Sequence, residues 1–144
     1  MAKFKYSLEK VLNHRRIQEN LAQRDFQEQM MILNQEIEKL KSFEESWSQA
    51  HQQMHAKQVR GGSTAGDLQA INEFLKGLKI KIERQKLVIV HHEKLVEEVR
   101  EFLRQRMAER QMIDSHKENK RLEFKKEQAK KEQKEYDDQA TIRF

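Results

Sequence analysis

The strongest constraint on the fold is where the chain can interrupt its backbone. The 144 residues contain no Pro and only four Gly, and Gly61, Gly62 and Gly66 fall in one short stretch. Gly and Pro are the residues that most often end a helix or a strand. The sequence therefore predicts one turn, at about residues 59–66, between two long uninterrupted elements.

The spacing of the apolar residues predicts that both elements are helices. An alternation of three and four residues is typical of coiled-coil seams. On the first helix the predicted seam consists of Phe26, Met30, Leu33, Ile37, Leu40, Glu44, Trp47, His51 and Met54, with Phe43 and Ala50 beside it. On the second helix it consists of Leu68, Ile71, Leu75, Leu78, Ile82, Gln85, Ile89, His92, Val96, Val99 and Leu103.

These patterns predict an all-α fold, in which two long helices form an antiparallel coiled-coil hairpin. We expect the first helix over residues 8–58 and a longer second helix over 67–138, in one hairpin domain spanning 1–144. The second helix carries a charged tail from about residue 114. A short connection makes the helices antiparallel, so the numbers of facing residues should add up to about 125. Phe26 should then lie near Val99, Trp47 near Leu78, and Leu8 near Lys117.

The turn itself has the residues of a helix end followed by a helix start. Gly61 or Gly62 can adopt the left-handed conformation that ends many helices. Ser63 or Thr64 can cap the second helix, and Thr64 with Asp67 has the spacing of a capping box. A phosphate-binding loop is disfavoured, because Asp67 stands where such a loop has Lys and no strand precedes it.

Composition excludes several classes of protein. Hydrophobic residues make up 36% and charged residues 37% of the chain, and the mean hydropathy is -1.04. This is too little apolar material for a thick core, but it suffices for a narrow seam between two helices. The chain contains no run of about 18 apolar residues, so no transmembrane segment is predicted. The chain has no Cys, which excludes disulfides and thiolate chemistry.

The sequence offers no arrangement suited to catalysis. His51 and His55 lie one helical turn apart, yet no third metal ligand accompanies them. His91 and His92 lack the pattern of a zinc metalloprotease. A two-helix protein also offers no closed pocket for a substrate. We therefore predict no catalytic residue, no metal, no cofactor and no enzymatic activity.

The positive charge lies in two clusters. Residues 1–24 hold six Lys/Arg against two Glu, and residues 76–86 hold five Lys/Arg against one Glu. Neither cluster has the interleaved aromatic residues expected for single-stranded nucleic acid, so nucleic acid is not a predicted partner. Both clusters suit an acidic protein or an anionic lipid equally well. Because both clusters are basic, a binder of nucleic acid or of a membrane surface stays open as the alternative function.

Two places have more large apolar residues than a two-helix seam requires. Near the turn these are Phe43, Trp47, Phe74 and Leu78, which indicate either a partner surface or a thicker seam. At the other end they are Phe4, Tyr6, Leu8, Val11 and Leu12. The opposite segment, 114–138, supplies almost no apolar partners, so we expect the hairpin to bury this second group poorly. A socket on another protein would bury these apolar residues. The charged tail would either become ordered in that socket or stay solvated.

Two stretches of sequence resemble a known family. FKYSLEKVLNHRRIQEN, residues 4–20, resembles the opening of flagellar FliJ proteins in its aromatic-basic-aromatic start, its Val-Leu pair and its Arg-rich turn. INEFLKGLKIKIERQ, residues 71–85, is similar to the start of the second helix in that family. The length, the Gly-bearing turn and the charged tail also agree with it.

The resemblance implies a function and a set of partners. FliJ proteins are non-enzymatic components of the flagellar type III export apparatus, located in the cytoplasm and peripherally at the inner membrane. They bind the hexameric export ATPase FliI, promote ring assembly and ATP hydrolysis, contact the cytoplasmic domain of the gate protein FlhA, and meet FliH and export chaperones. A coiled-coil scaffold of a virulence type III secretion system is the alternative from the same class.

The resemblance also implies two binding surfaces. The gate-binding positions are Glu36, Leu40, Phe43, Trp47, Phe74, Leu78, Lys81 and Gln85, of which Glu36 and Lys81 depart from the family's usual residues. The ATPase-binding positions are Phe4, Tyr6, Leu8, Val11, Leu12, Arg15, Leu122 and Phe124.

Overall fold

A computed structural model describes residues 2–62 and 64–143 of the chain. It consists of helix α1, Glu9–Arg60, and helix α2, Ala65–Arg143, packed against each other. The prediction of an all-α antiparallel hairpin with a longer second helix is confirmed. Ser63, a predicted cap, and Phe144, in the predicted tail, lie outside the described residues.

The turn between the helices has the predicted chemistry. Gly61 and Gly62 have φ angles of 69° and 93°, in the left-handed region that favours Gly. At the start of α2 the Asp67 backbone N–H donates to Thr64 Oγ1 at 3.2 Å, and the Thr64 N–H donates to Asp67 Oδ2 at 3.4 Å. This reciprocal pair is the predicted capping box, and it satisfies backbone donors that the first turn of a helix leaves unpaired.

The chain forms two compact units, each made of a segment of α1 and a segment of α2. The central unit comprises residues 24–101 and includes the turn, and the terminal unit comprises residues 2–23 and 102–143. The predicted single hairpin domain stays a prediction.

A narrow apolar seam holds the central unit together. Leu33, Ile89 and Val96 form a buried cluster, and the partly buried side chains that pack against it are Phe26, Met30, Ile37 and Leu40. The Arg100 guanidinium lies 5.6 Å from the centre of the Phe26 ring, which agrees with the pairing predicted from the turn. In the terminal unit Leu12 and Ala22 are the fully buried apolar residues, at 0% and 1% exposed.

The predicted seam is right on α2 and partly wrong on α1. Every predicted seam residue of α2, from Leu68 to Leu103, is buried or half-buried. On α1, Glu44, Trp47 and His51 are exposed, whereas Phe43 is half-buried and Ala50 is buried. The seam passes through Phe43 because burying the neighbouring Glu44 would remove a carboxylate from water.

No helix in the described part of the chain is long and apolar enough to cross a membrane.

The burial of Leu12 predicts a large difference between two identical substitutions in the terminal unit. Leu12→Ala leaves a cavity and should lower the free energy of unfolding by about 2–5 kcal/mol. Leu21→Ala removes the same atoms from a side chain that is 52% exposed, and it should change that energy by only about 0.5 kcal/mol. Urea titration followed by circular dichroism measures both, and equal losses would contradict the assigned seam.

Candidate functional site

The predicted gate-binding residues lie in the central unit and differ widely in exposure. Leu78 and Gln85 are buried in the seam, and Glu36, Leu40 and Phe43 are half-buried. Trp47, Phe74 and Lys81 are exposed, with Trp47 at 37% and Phe74 at 56%. The exposed members are therefore the side chains available to a partner, while the buried members fix the helices beneath them. We call these eight residues the central surface.

Two members of the central surface join the helices by hydrogen bonds. The Gln85 side-chain N–H group donates to the Glu36 backbone carbonyl at 2.8 Å and to Glu36 Oε2 at 2.6 Å. This hydrogen bond lowers the pKa of Glu36 below its ordinary value of 4.5, because it stabilises the charged carboxylate. Lys39, one turn along α1, lies 3.6 Å from the same carboxylate. Glu36, which departs from the family's usual residue, thus has a hydrogen-bond partner in this chain, Gln85.

The two exposed aromatic residues of the central surface have different neighbours. The Trp47 ring stacks on His51, with ring centres 4.9 Å apart and planes within 7°. Phe74 lines a groove of about 370 Å³ together with Ala50 and Ile71. Because the Trp47 ring is already stacked on His51, fixing it against a partner costs less conformational entropy.

In the terminal unit, the residues before α1 lie against α2. The Phe4 ring is 5.6 Å from the Phe124 ring, and Tyr6 Oη is 2.5 Å from His116 Nδ1. Residues 4–7 and the α2 residues around Phe124 enclose a groove of about 210 Å³. The structure thus brings together Phe4, Tyr6 and Phe124, which were predicted to bind the ATPase.

The remaining predicted ATPase-binding residues are not equally accessible. Leu8, Val11 and Leu122 are exposed and Arg15 is half-buried, but Leu12 is completely buried. The expectation that the hairpin buries this group poorly is therefore wrong for Leu12. Its packing positions Leu8 and Val11, which remain accessible from solvent. We call the eight predicted ATPase-binding residues the terminal surface.

Ion pairs join the two helices in the terminal unit. Arg110 donates to Glu19 on α1, with Nε 2.5 Å from Oε2, and it also pairs with Asp114 at 2.8 Å on its own helix. Further pairs between the helices are Arg15–Glu109 at 3.0 Å, Arg16–Asp114 at 3.4 Å and Glu9–Lys117 at 2.8 Å. A hydrogen bond from Arg110 lowers the pKa of Asp114. In turn, hydrogen bonds to Glu19 and Asp114 raise the pKa of Arg110.

Sequence reasoning missed these ion pairs, although it had a signal for them. The predicted pairing of the helices already places Glu9 beside Lys117, and Arg15 near Glu109. A charge count along residues 1–24 alone conceals these pairs, because each partner lies on the other helix.

Two polar seam atoms have no hydrogen-bond partner among the described residues. They are Gln29 Oε1 and His92 Nδ1, both in the central unit. His92 is half-buried on the seam, as predicted, and its ring contacts that of His91 at 5.4 Å. Within residues 2–62 and 64–143, no three His, Asp or Glu side chains are grouped to hold a metal.

These features define the class of the protein. Two antiparallel helices pack against each other, and accessible aromatic and aliphatic side chains remain on both of them. Such a molecule is a coiled-coil hairpin whose surfaces suit other proteins.

Comparison with known proteins identifies the family. The model of the Flagellar FliJ protein family matches residues 4–144, and the chain therefore belongs to the FliJ family. It is a component of a type III export apparatus, and the family is a non-enzymatic one.

The fold recurs in a solved structure. A putative YscO homologue from Chlamydia trachomatis is 24% identical, with a TM-score of 0.62, over 97% of this chain and 94% of that one. At this identity the likeness concerns the fold alone. No curated protein matches the chain significantly.

The lowered pKa of Asp114 predicts that the terminal unit loses stability in acid. Because this pKa is lower in the folded chain than in the unfolded one, its contribution is present at neutral pH. It is lost as the pH falls below the ordinary value of 3.8 and through the folded value. Asp114→Asn should therefore show a smaller fall in unfolding free energy between pH 7 and pH 3 than the natural chain does. Asp138→Asn, an exposed control, should keep the full fall, and identical pH profiles for all three proteins would refute the assignment.

Proposed function

We propose that the chain is an adaptor of the flagellar export apparatus, without catalytic activity of its own. Its terminal surface binds the hexameric export ATPase FliI and promotes ring assembly and ATP hydrolysis. Its central surface contacts the cytoplasmic domain of the export gate FlhA. FliH and export chaperones are further partners, and the protein works in the cytoplasm, peripherally at the inner membrane of the flagellar base.

The observation that carries this proposal is the family match over residues 4–144. The physical features of the two surfaces support the proposal independently of the family match. Exposed aliphatic groups at Leu8 and Val11, beside basic residues, suit a socket that is apolar in its centre and acidic at its rim. The aromatic rings of Trp47 and Phe74 are of the type that dominates binding energy at protein interfaces.

The ATPase interaction is tested by mixing the protein with FliI from the same organism. The natural chain should raise ring assembly and ATP hydrolysis. Leu8→Ala with Val11→Ala should need about tenfold more protein for half-maximal stimulation, since it loses two apolar contacts.

The matched control is Met31→Ala with Val59→Ala, which removes two exposed apolar side chains from the central unit. It should stimulate FliI as well as the natural chain does. No stimulation by the natural chain, while FliI alone is active, would remove the ATPase part of the proposal.

The gate interaction is tested with the cytoplasmic domain of FlhA. Trp47→Ala should weaken binding by at least about tenfold, because a Trp at an interface centre commonly has that effect. Phe102→Ala, which removes an exposed aromatic ring from the terminal unit, should leave the affinity within about twofold. An affinity that is unchanged by Trp47→Ala but falls steeply as salt is added would favour the alternative of a charge-driven binder of nucleic acid or lipid.

The alternative of a virulence secretion scaffold differs in its partners rather than its fold. The name of the Chlamydia protein describes that protein alone, and the family match favours the flagellar apparatus for this chain. Failure with FliI and FlhA, together with binding to the equivalent virulence ATPase, would reverse that preference.

A further inference from the structure

One face of α2 in the central unit is apolar where a two-helix protein needs no apolar residue. Ile80 and Leu87 are 55% and 71% exposed. They lie seven residues apart, so they occupy the same side of the helix. The buried residues Leu78, Gln85 and Ile89 mark the opposite side, which packs against α1. Val90, also exposed, extends the apolar area beyond Leu87.

This outward face is distinct from the central surface proposed to bind the export gate. Ile80 precedes Lys81 by one residue, which turns the two side chains about 100° apart around the helix axis. Leu87 and Val90 lie beyond the last central-surface residue, Gln85. Substitutions at Ile80 and Leu87 therefore test the outward face without changing a central-surface side chain. Gly77, in contrast, lies within one turn of both Phe74 and Lys81, so the two surfaces adjoin there.

The outward face is bordered by positive charge. Lys76, Lys79, Arg84 and Lys86 are exposed, and residues 76–86 contain only one acidic residue, Glu83. Glu83 lies 3.9 Å from Lys86. A second copy of the same face would bring like charges together, so self-association through it is disfavoured. Glu73 and Glu83 lie on the same side as Ile80 and Leu87, but residues 73–86 hold five Lys/Arg against these two Glu, so charge complementarity favours a negatively charged occupant.

Gly77 indicates what kind of negatively charged occupant fits. It lies in the interior of α2 and one turn before Ile80, and a Cβ atom added to it would meet nothing within 4 Å. Packing against α1 therefore does not require Gly at this position, although Gly destabilises a helix interior relative to Ala. Bare backbone on an outer face lets another helix approach closely, whereas a lipid surface gains nothing from the missing side chain.

We propose that this face, consisting of Gly77, Ile80, Arg84, Leu87 and Val90, binds an acidic amphipathic helix of a partner protein. The partner helix places apolar side chains at heptad spacing against Ile80 and Leu87. Acidic side chains on its flanks pair with Lys76, Arg84 and Lys86. The resulting contact adds a third helix to the central unit, with its backbone closest at Gly77.

The test uses a fluorescent synthetic peptide of three heptads, with Leu at positions a and d and Glu at positions e and g. Its binding to the full chain is followed by fluorescence anisotropy at low salt. Ile80→Ser with Leu87→Ser should weaken binding at least about tenfold, without changing the thermal unfolding midpoint, because both side chains are exposed. The same peptide with Lys in place of Glu should not bind.

Two further variants distinguish binding at this face from binding at α1 and from damage to the fold. Ile17→Ser with Met31→Ser removes two similarly exposed apolar side chains from α1 and should change the affinity by less than about twofold. Gly77→Leu should stabilise α2 yet weaken the peptide about tenfold or more, because its side chain blocks the close approach. A variant that merely damaged the fold would lose stability and binding together.

The proposal is overturned if Ile80→Ser with Leu87→Ser leaves the peptide affinity unchanged, or if Ile17→Ser with Met31→Ser lowers it equally. It is also overturned if the natural chain binds vesicles of phosphatidylcholine and phosphatidylglycerol through Ile80 and Leu87 but does not bind the acidic peptide. That last outcome would assign the face to an anionic lipid surface.

Discussion

The packing of α1 against α2 along a single narrow seam is the interaction on which the rest of this structure depends. Neither helix has enough apolar surface to form a core alone, and neither folds back on itself. Each unit therefore derives its stability from side chains that only the other helix can cover. This requirement explains why an almost unbroken alternation of three and four residues runs through α2, and why the residues that break the backbone are concentrated at the turn.

The two units meet this requirement by different chemistry. In the central unit the seam is mainly aliphatic, with Leu33, Ile89 and Val96 at its centre. In the terminal unit Leu12 and Ala22 are buried, and ion pairs such as Glu19–Arg110 also join the helices. Apolar burial is insensitive to moderate acid, whereas carboxylate pairs weaken when they are protonated or screened by salt. Acid therefore acts on the carboxylate pairs of the terminal unit and, in the central unit, on the Glu36–Gln85 hydrogen bond.

A thin seam also leaves most of each helix free for partners. In a thick globular core, side chains such as Trp47, Phe74 or Leu87 would be buried. Here they stay on the surface because the helices have only two mutually facing sides. The proposed functions use three such places: the terminal surface, the central surface, and the outward face of α2. Most of their residues lie on helices whose packing the seam already fixes, so binding there requires little ordering of the protein.

The sequence by itself determined the helices, the turn, the direction of the second helix and the seam of α2. Local chemistry sufficed there: Gly61 and Gly62 end a helix, Thr64 and Asp67 begin one, and the repeat from Leu68 to Leu103 has one interpretation. Family membership was also within reach of the sequence, since residues 4–20 and 71–85 carry it. Only the tertiary structure decided that Phe43 and Ala50, rather than Glu44 and His51, continue the seam of α1. It also decided that Leu12 is buried, that Gln85 binds Glu36, and that Glu19 meets Arg110. Each of these features depends on which side chains face each other across the two helices. The spacing of residues along one helix does not contain that information.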